Sequence, residues 1–200
     1  MTPNILTPTL IFPVGLTRAT FSGSDRNRHR LGGPLELDIE HWPRRGHSPH
    51  RIATLDPMDP AFGLGTRYHS PIPLIYGLQI SGCRLRYQLN GHRKVKIQEC
   101  QGQPAKNWPY AGYPEMLPTV PLHFQAPEPI DWKALEEDED FHGLTNQDSR
   151  PKANEVLLVV PPNDTYGVSL WGLSGDRERV QIVFRINLDS FSVEAWNEAN

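Results

Sequence analysis

Cysteine is scarce in this sequence: Cys83 and Cys100 are the only two, 17 positions apart, and neither sits in a CxxC pair. That excludes a disulfide-dense scaffold and a cysteine zinc site, and the two thiols would pair only where a hairpin between them brought them together. No run approaches the ~18 apolar residues of a membrane helix, and the N-terminus lacks a charged n-region followed by an apolar h-region. A soluble, cytoplasmic protein with reduced thiols is therefore expected. Catalytic signatures are missing too, with no GxSxG, HExxH, P-loop or GxGxxG. Gly63-Leu64-Gly65 is half of a dinucleotide fingerprint and reads as a turn.

Proline, by contrast, is abundant. Its 20 positions in 200 residues are roughly twice the usual share. Proline removes backbone donors and breaks helix interiors, which argues against long helices, coiled coils and bundles. Adding the 16 glycines still leaves the chain below the roughly 25–30% typical of low-complexity sequence. A chain of this length buries roughly 70% of its unfolded surface, so residues 1–200 are read as one domain.

The hydrophobic pattern gives its class: α+β but mainly β, with antiparallel sheets, β-hairpins, few short helices and proline-rich loops. Leu74 to Ile80 is a nearly continuous apolar run, as expected of a strand covered on both faces. Leu85, Tyr87 and Leu89 then alternate with Arg84, Arg86 and Gln88. Asn90-Gly91 is a strong hairpin signal, and Val95 and Ile97 alternate with Lys94 and Lys96 on the return strand. One face of this hairpin is thus apolar and the other basic. Glu155 to Val160 reads as a buried strand ended by Pro161-Pro162, and Val180 to Leu188 as a half-buried strand of period two. Arg51 to Leu55 is a short strand, and Asp131 caps a short helix from Trp132 to about Asp138. Residues 1–16 are expected to form an edge strand or extended arm, and Arg18 to Arg30 a loop. Pro104 to Pro129 is expected as extended chain over a sheet, 140–154 as a loop, and the tail from Ser190 as one or two helical turns.

Charge is segregated although the net value is only −3, with a pI near 6.2; this argues against a general nucleic-acid binder. Arg84 to Lys106 carries six bases against Glu99, whereas Glu128 to Asp148 carries eight acids against Lys133. Blocks of this kind serve as solvated faces or as steering patches for a charged partner. Trp42, Trp108, Tyr110, Tyr113, Trp132, Trp171 and Trp196 supply the aromatic surface of a core, and of an interface where some are exposed.

Individual candidates for chemistry are thin. His41, His47 and His50 have the residue type for a metal site, but Arg44, Arg45 and Arg51 beside them would repel a cation. Asp138, Asp140, His142 and Gly143 follow the start of an EF-hand loop, which fails at Ser149 where a bidentate glutamate is required. Cys83 has Arg84 and Arg86 as neighbours that can activate a thiol, although buried structural cysteines are commoner. Asp56 and Asp59 each precede proline and read as turn residues. The Asn163 sequon carries no weight without secretion.

Arg30-Leu31-Gly32-Gly33-Pro34, then Trp42-Pro43, then the apolar strand from Ile52 resembles the opening of the YwqG-like bacterial domain of unknown function. Val168-Ser169-Leu170-Trp171-Gly172 suits that domain's closing sheet. Thr54-Leu55-Asp56 stands where the family pattern has a glutamine. The resemblance implies a bacterial, mainly β protein without established enzyme activity, and proteins that look like this occur beside secreted toxins as cytosolic immunity proteins.

The expected function is therefore non-enzymatic protein binding, concretely an immunity protein that neutralises a toxin effector. Docking would use the basic residues Arg84, Arg86, Arg93 and Lys94, or the acidic residues Glu136, Glu137, Asp138 and Asp140. No catalytic residue, metal, cofactor, membrane or nucleic-acid partner is expected. The alternatives are an enzyme with an unfamiliar site around His41, His47 and His50, and a structural subunit of a larger assembly.

Overall fold

The computed structural model describes residues 7–21, 29–43, 47–59, 69–91, 93–104, 114–137, 141, 149–162, 169–171 and 180–199. In chain order the strands begin with β1 (Thr9–Ile11), β2 (Gly15–Thr20), β3 (Arg30–Leu31), β4 (Asp38–Glu40), β5 (His50–Leu55) and β6 (Ile72–Tyr76). They continue with β7 (Ile80–Leu89), β8 (Lys94–Pro104), β9 (Val120–Pro121), β10 (His123–Phe124) and β11 (Glu128–Pro129). After the helix α1 (Trp132–Glu136) come β12 (Glu155–Val160), β13 (Val180–Asn187) and β14 (Ser192–Ala199). The mainly β class with few short helices is what the alternating pattern and the prolines called for.

Ten strands form one sheet in the order β10-β2-β1-β12-β13-β14-β7-β8-β4, with β11 also pairing β2. Four form a second sheet, β6-β5-β3-β9. All pairings are antiparallel except β4 with β8. No helix among the described residues is long and apolar enough to cross a membrane.

The central strands are apolar on both faces because both faces are covered. Val156, Leu158, Val160, Ile182 and Phe184 join the main core, which also takes Ile52, Leu55, Leu74 and Tyr76 from the small sheet. Leu157, Val159 and Val183 point the other way, into a second cluster with Ile11, Leu135 and Phe141. Asp131 starts α1 by accepting the backbone N–H groups of Lys133 and Ala134, the N-cap role its sequence position indicates. Leu135 of α1 is buried in the second cluster and Trp132 packs against it.

Two tyrosine hydroxyls tie the sheets together. The Tyr87 hydroxyl of β7 accepts from the Ile75 N–H and donates to the Pro73 carbonyl of β6, at 3.1 Å each. The Tyr76 hydroxyl of β6 reaches the Cys83 carbonyl at 2.8 Å and Asn197 Oδ1 at 3.1 Å. Buried phenols need such partners, and here the partners belong to the facing sheet.

Several expectations are corrected. The C-terminal tail is β14, not helix. Val193 and Trp196 have helical spacing, but the open edge of β13 offers Ser192–Ala199 a full set of ladder partners, and Val193 and Ala195 are buried at period two. The N-terminal strand is no edge, because β1 lies between β2 and β12. Arg18, Ala19 and Thr20 belong to β2 rather than to a loop. The apolar run from Leu74 to Ile80 is divided: β6 ends at Tyr76 and β7 starts at Ile80, with the Ile80 N–H donating to the Gly77 carbonyl. The hairpin at Asn90-Gly91 stands, but its loop is longer than a two-residue turn. The Asn90 N–H donates to the Lys94 carbonyl, and the positive φ angles fall on Gly91 and Arg93. The segments around Trp108 to Tyr113, the sequon and Gly63 to Gly65 lie outside the described residues.

Candidate functional site

The chain passes from the small sheet to the large one between β3 and β4, and a cleft opens at this crossing. Gly32 makes the crossing possible. Its φ is +60°, and a Cβ there would stand 2.0 Å from the Pro118 carbonyl oxygen, so neither the backbone conformation nor the space admits a side chain. The Gly32 N–H donates to Ile52 and the Gly33 N–H to Leu117. Beyond this turn Glu36 and Leu37 run along the cleft, and the Asp38 N–H donates to the Arg93 carbonyl at the hairpin end.

The cleft has a volume of about 150 Å³ and is lined by Arg30 of β3, Arg51 and Thr54 of β5, Arg93 and Glu36, with Leu37, Pro71 and Pro73 as its apolar walls. Arg51 and Thr54 are three residues apart, which in a regular strand would send them to opposite faces. The β5–β6 register shifts between Arg51 and Ala53, and this bulge brings both residues to the same cleft, an effect bulges commonly have beside functional sites.

Donors here outnumber acceptors. Among the described residues three guanidiniums face one carboxylate, and Glu36 engages Arg93 at 3.6 Å. Arg51 Nε and Thr54 Oγ1 are buried and have no hydrogen-bond partner among the described residues. Thr54 is only 6% exposed. Opposite it in the register stands Pro73, which has no N–H to offer the hydroxyl. Burial lowers the Arg51 pKa first, and the charges of Arg30 and Arg93 add to the effect while Glu36 opposes it. Arg93 is itself held at φ +60°, a left-handed conformation that costs a non-glycine residue roughly 1–2 kcal/mol. Unsatisfied buried donors, like charges brought together and a strained backbone are individually unfavourable, and an oxyanion in the cleft would relieve the first two.

The basic residues expected from sequence to meet a partner carry acidic neighbours. Arg84 pairs with Glu194, Arg86 with Glu99 at 3.1 Å, Arg93 with Glu36, and Lys94 with Glu40 at 2.7 Å. These four basic residues of the hairpin are therefore each ion-paired, and pairs at the surface hold only weakly. Hydrogen bonding to Lys94 keeps the Glu40 carboxyl below its ordinary range. Glu137 is exposed at the end of α1 and Glu136 is the helix's last residue; Asp138 and Asp140 lie outside the described residues.

The three clustered histidines each have their own surroundings. His47 Nδ1 is 2.8 Å from Gln79 Oε1, His50 Nε2 is 3.2 Å from the Pro114 carbonyl oxygen, and His41 is at a chain turn with φ +64°. The described residues hold no group of three or more His, Cys, Asp or Glu placed to bind a metal. Asp56 and Asp59 are turn residues, as their prolines suggest, but they also secure a buried histidine. His29 Nδ1 accepts the Asp56 N–H at 2.9 Å, which leaves Nε2 to donate to Asp59 Oδ2 at 2.9 Å. Burial lowers the His29 pKa against the opposing pull of Asp59 and Asp56.

Arg30, Glu36, Arg51 and Thr54 were not singled out by sequence reasoning. The available signal was Arg51, an obligate cation inside a strand whose following residues are Ile52, Ala53 and Leu55. Comparison with family models, curated proteins and solved structures finds no match for the chain, so the cleft itself carries the functional argument.

Proposed function

We propose that this protein acts by binding a partner protein, and that an acidic side chain of the partner enters the arginine cleft. The observation that carries this reading is the pair of buried donors without partners among the described residues, Arg51 Nε and Thr54 Oγ1, in a cleft whose described lining has an excess of positive charge. The volume of about 150 Å³ admits an anionic head group but not the body that bears it, which suits a group displayed on a larger molecule. At the rim Arg93 and Glu36 are 61% and 57% exposed, so the internal pair can open and Arg93 can turn to the partner's carboxylate. The resemblance to the YwqG-like domain gives the partner a concrete class, a toxin effector neutralised by direct binding.

The small dicarboxylate glutarate serves as a probe for this site. At constant ionic strength, glutarate is expected to raise the melting temperature of the wild-type protein above its value in chloride and to leave Arg51→Met unchanged. Equal melting temperatures of the wild type in glutarate and chloride would overturn the reading.

A further inference from the structure

The β7–β8 hairpin brings the chain's two cysteines together. In the ladder Leu85 stands opposite Cys100, and the register then shifts between Ser81 and Arg84, so that Gly82 and Cys83 together face the single residue Gly102. Cys83, two residues before Leu85, shares its core-facing side and so lies diagonally across from Cys100. Cys83 is buried and Cys100 half-buried, and the neighbouring Cys100 thiol is the first cause of a raised Cys83 pKa. Cys83 Sγ is closely packed: a Cβ on Gly77 would stand 2.8 Å from Ile80 Cδ1 and 3.1 Å from Cys83 Sγ. Neither residue lines the arginine cleft.

We propose that Cys83 and Cys100 are a modification site, a dithiol that closes reversibly to a disulfide across the hairpin when a hydroperoxide reacts at Cys100. The half-buried Cys100 is the sulfur open to the oxidant. Its thiolate attacks a peroxide oxygen, the O–O bond breaks, and the leaving oxygen departs as water or alcohol after taking a proton. Cys100 is then a sulfenic acid. Cys83 gives up its proton and attacks the Cys100 sulfur, the S–O bond breaks, and hydroxide leaves as water. Two thiols lose two electrons and two protons; the peroxide gains them. The order follows from exposure, since Cys83 is 1% exposed and Cys100 is half-buried; the neighbouring Cys100 and burial also push the Cys83 thiol up. The closed loop spans residues 83–100 and would fix the bulge at Gly82 and Gly102.

Hydrogen peroxide applied to the folded full-length chain, followed by alkylation in denaturant and mass spectrometry, tests this directly. The expected product has lost two hydrogen atoms, takes up no alkylating reagent, yields one peptide linking Cys83 to Cys100, and recovers both thiols with dithiothreitol. Cys83→Ser should accumulate a Cys100 sulfenic acid that dimedone traps, whereas Cys100→Ser should leave Cys83 unreacted. The wild-type result needs no variant to fold. Oxidation that carries Cys100 to a sulfinic acid while Cys83 remains alkylatable would overturn the proposal, as would disulfide-linked dimers in place of the internal bond.

Discussion

Replacing Thr54 with valine should make the protein more stable when alone and less stable than the wild type once an anion is bound. Thr54 is 6% exposed and its hydroxyl has no partner among the described residues. A buried polar group left unsatisfied costs about 1–3 kcal/mol, and valine keeps the side-chain shape while removing that group. Taking the low end, Thr54→Val gains about 1 kcal/mol, or about 2–4 °C in melting temperature for a chain of this size. An anion in the cleft reverses the order. At a concentration of ~100 times its Kd it stabilises the wild type by about 2.7 kcal/mol. Loss of one hydrogen bond to a charged group, about 1.5–3 kcal/mol, weakens the variant's binding roughly 10- to 100-fold. At the same anion concentration the variant then gains only about 0.4–1.4 kcal/mol, and the wild type melts higher. Thermal denaturation of both proteins in chloride and in phosphate or glutarate, at one ionic strength, reads the crossing. A variant that is less stable than the wild type in chloride, or that responds equally to the anion, would refute the claim that the hydroxyl waits for a ligand.

Two further outcomes follow from the fold. Tyr87→Phe removes the hydroxyl that serves both Ile75 N–H and Pro73 C=O and should cost roughly 1–3 kcal/mol, seen as an earlier midpoint in urea; an unchanged midpoint would mean that the phenol does not tie the sheets. His29 and His50 both have pKa values lowered chiefly by burial, so the unfolded chain takes up protons that the folded one refuses. Their contribution to stability is complete well above pH 6.5 and is lost progressively as pH falls through and below it. Denaturation midpoints at pH 7.5 and 5.5 check this, and equal midpoints would show that these histidines charge without opening the fold.

Period-two alternation was a sound guide wherever a strand had one covered face or two. It located β7, β8 and β13, an unbroken apolar run ended by two prolines located β12, and the Asp131 cap located α1. It misjudged the tail because a segment of eleven residues with Val193 and Trp196 three apart fits either period, and only the vacant edge of β13 decides between them. The short strands β3, β4, β9, β10 and β11 have two or three residues each, too few for any period to show. Their pairing is a property of the crossings they serve rather than of their own composition.

The cleft was hidden for a related reason. A motif search asks for chemical side chains at fixed spacings, whereas Arg30, Arg51 and Arg93 come from three separate segments and meet only because two sheets exchange a strand connection at Gly32. Even within β5 the spacing misleads, since Arg51 and Thr54 would face apart without the bulge at Ile52. What the sequence does contain is the set of local irregularities that make the meeting possible: two glycines after β3, prolines at 71 and 73, and a non-glycine residue at a left-handed position of the hairpin end. Each departs from what an ideal sheet would use, and all converge on one place. Departures from ideal geometry that gather at one place are where function is expected to lie. By that criterion the proposed partner contact belongs at the arginine cleft, to which the hairpin end itself contributes Arg93.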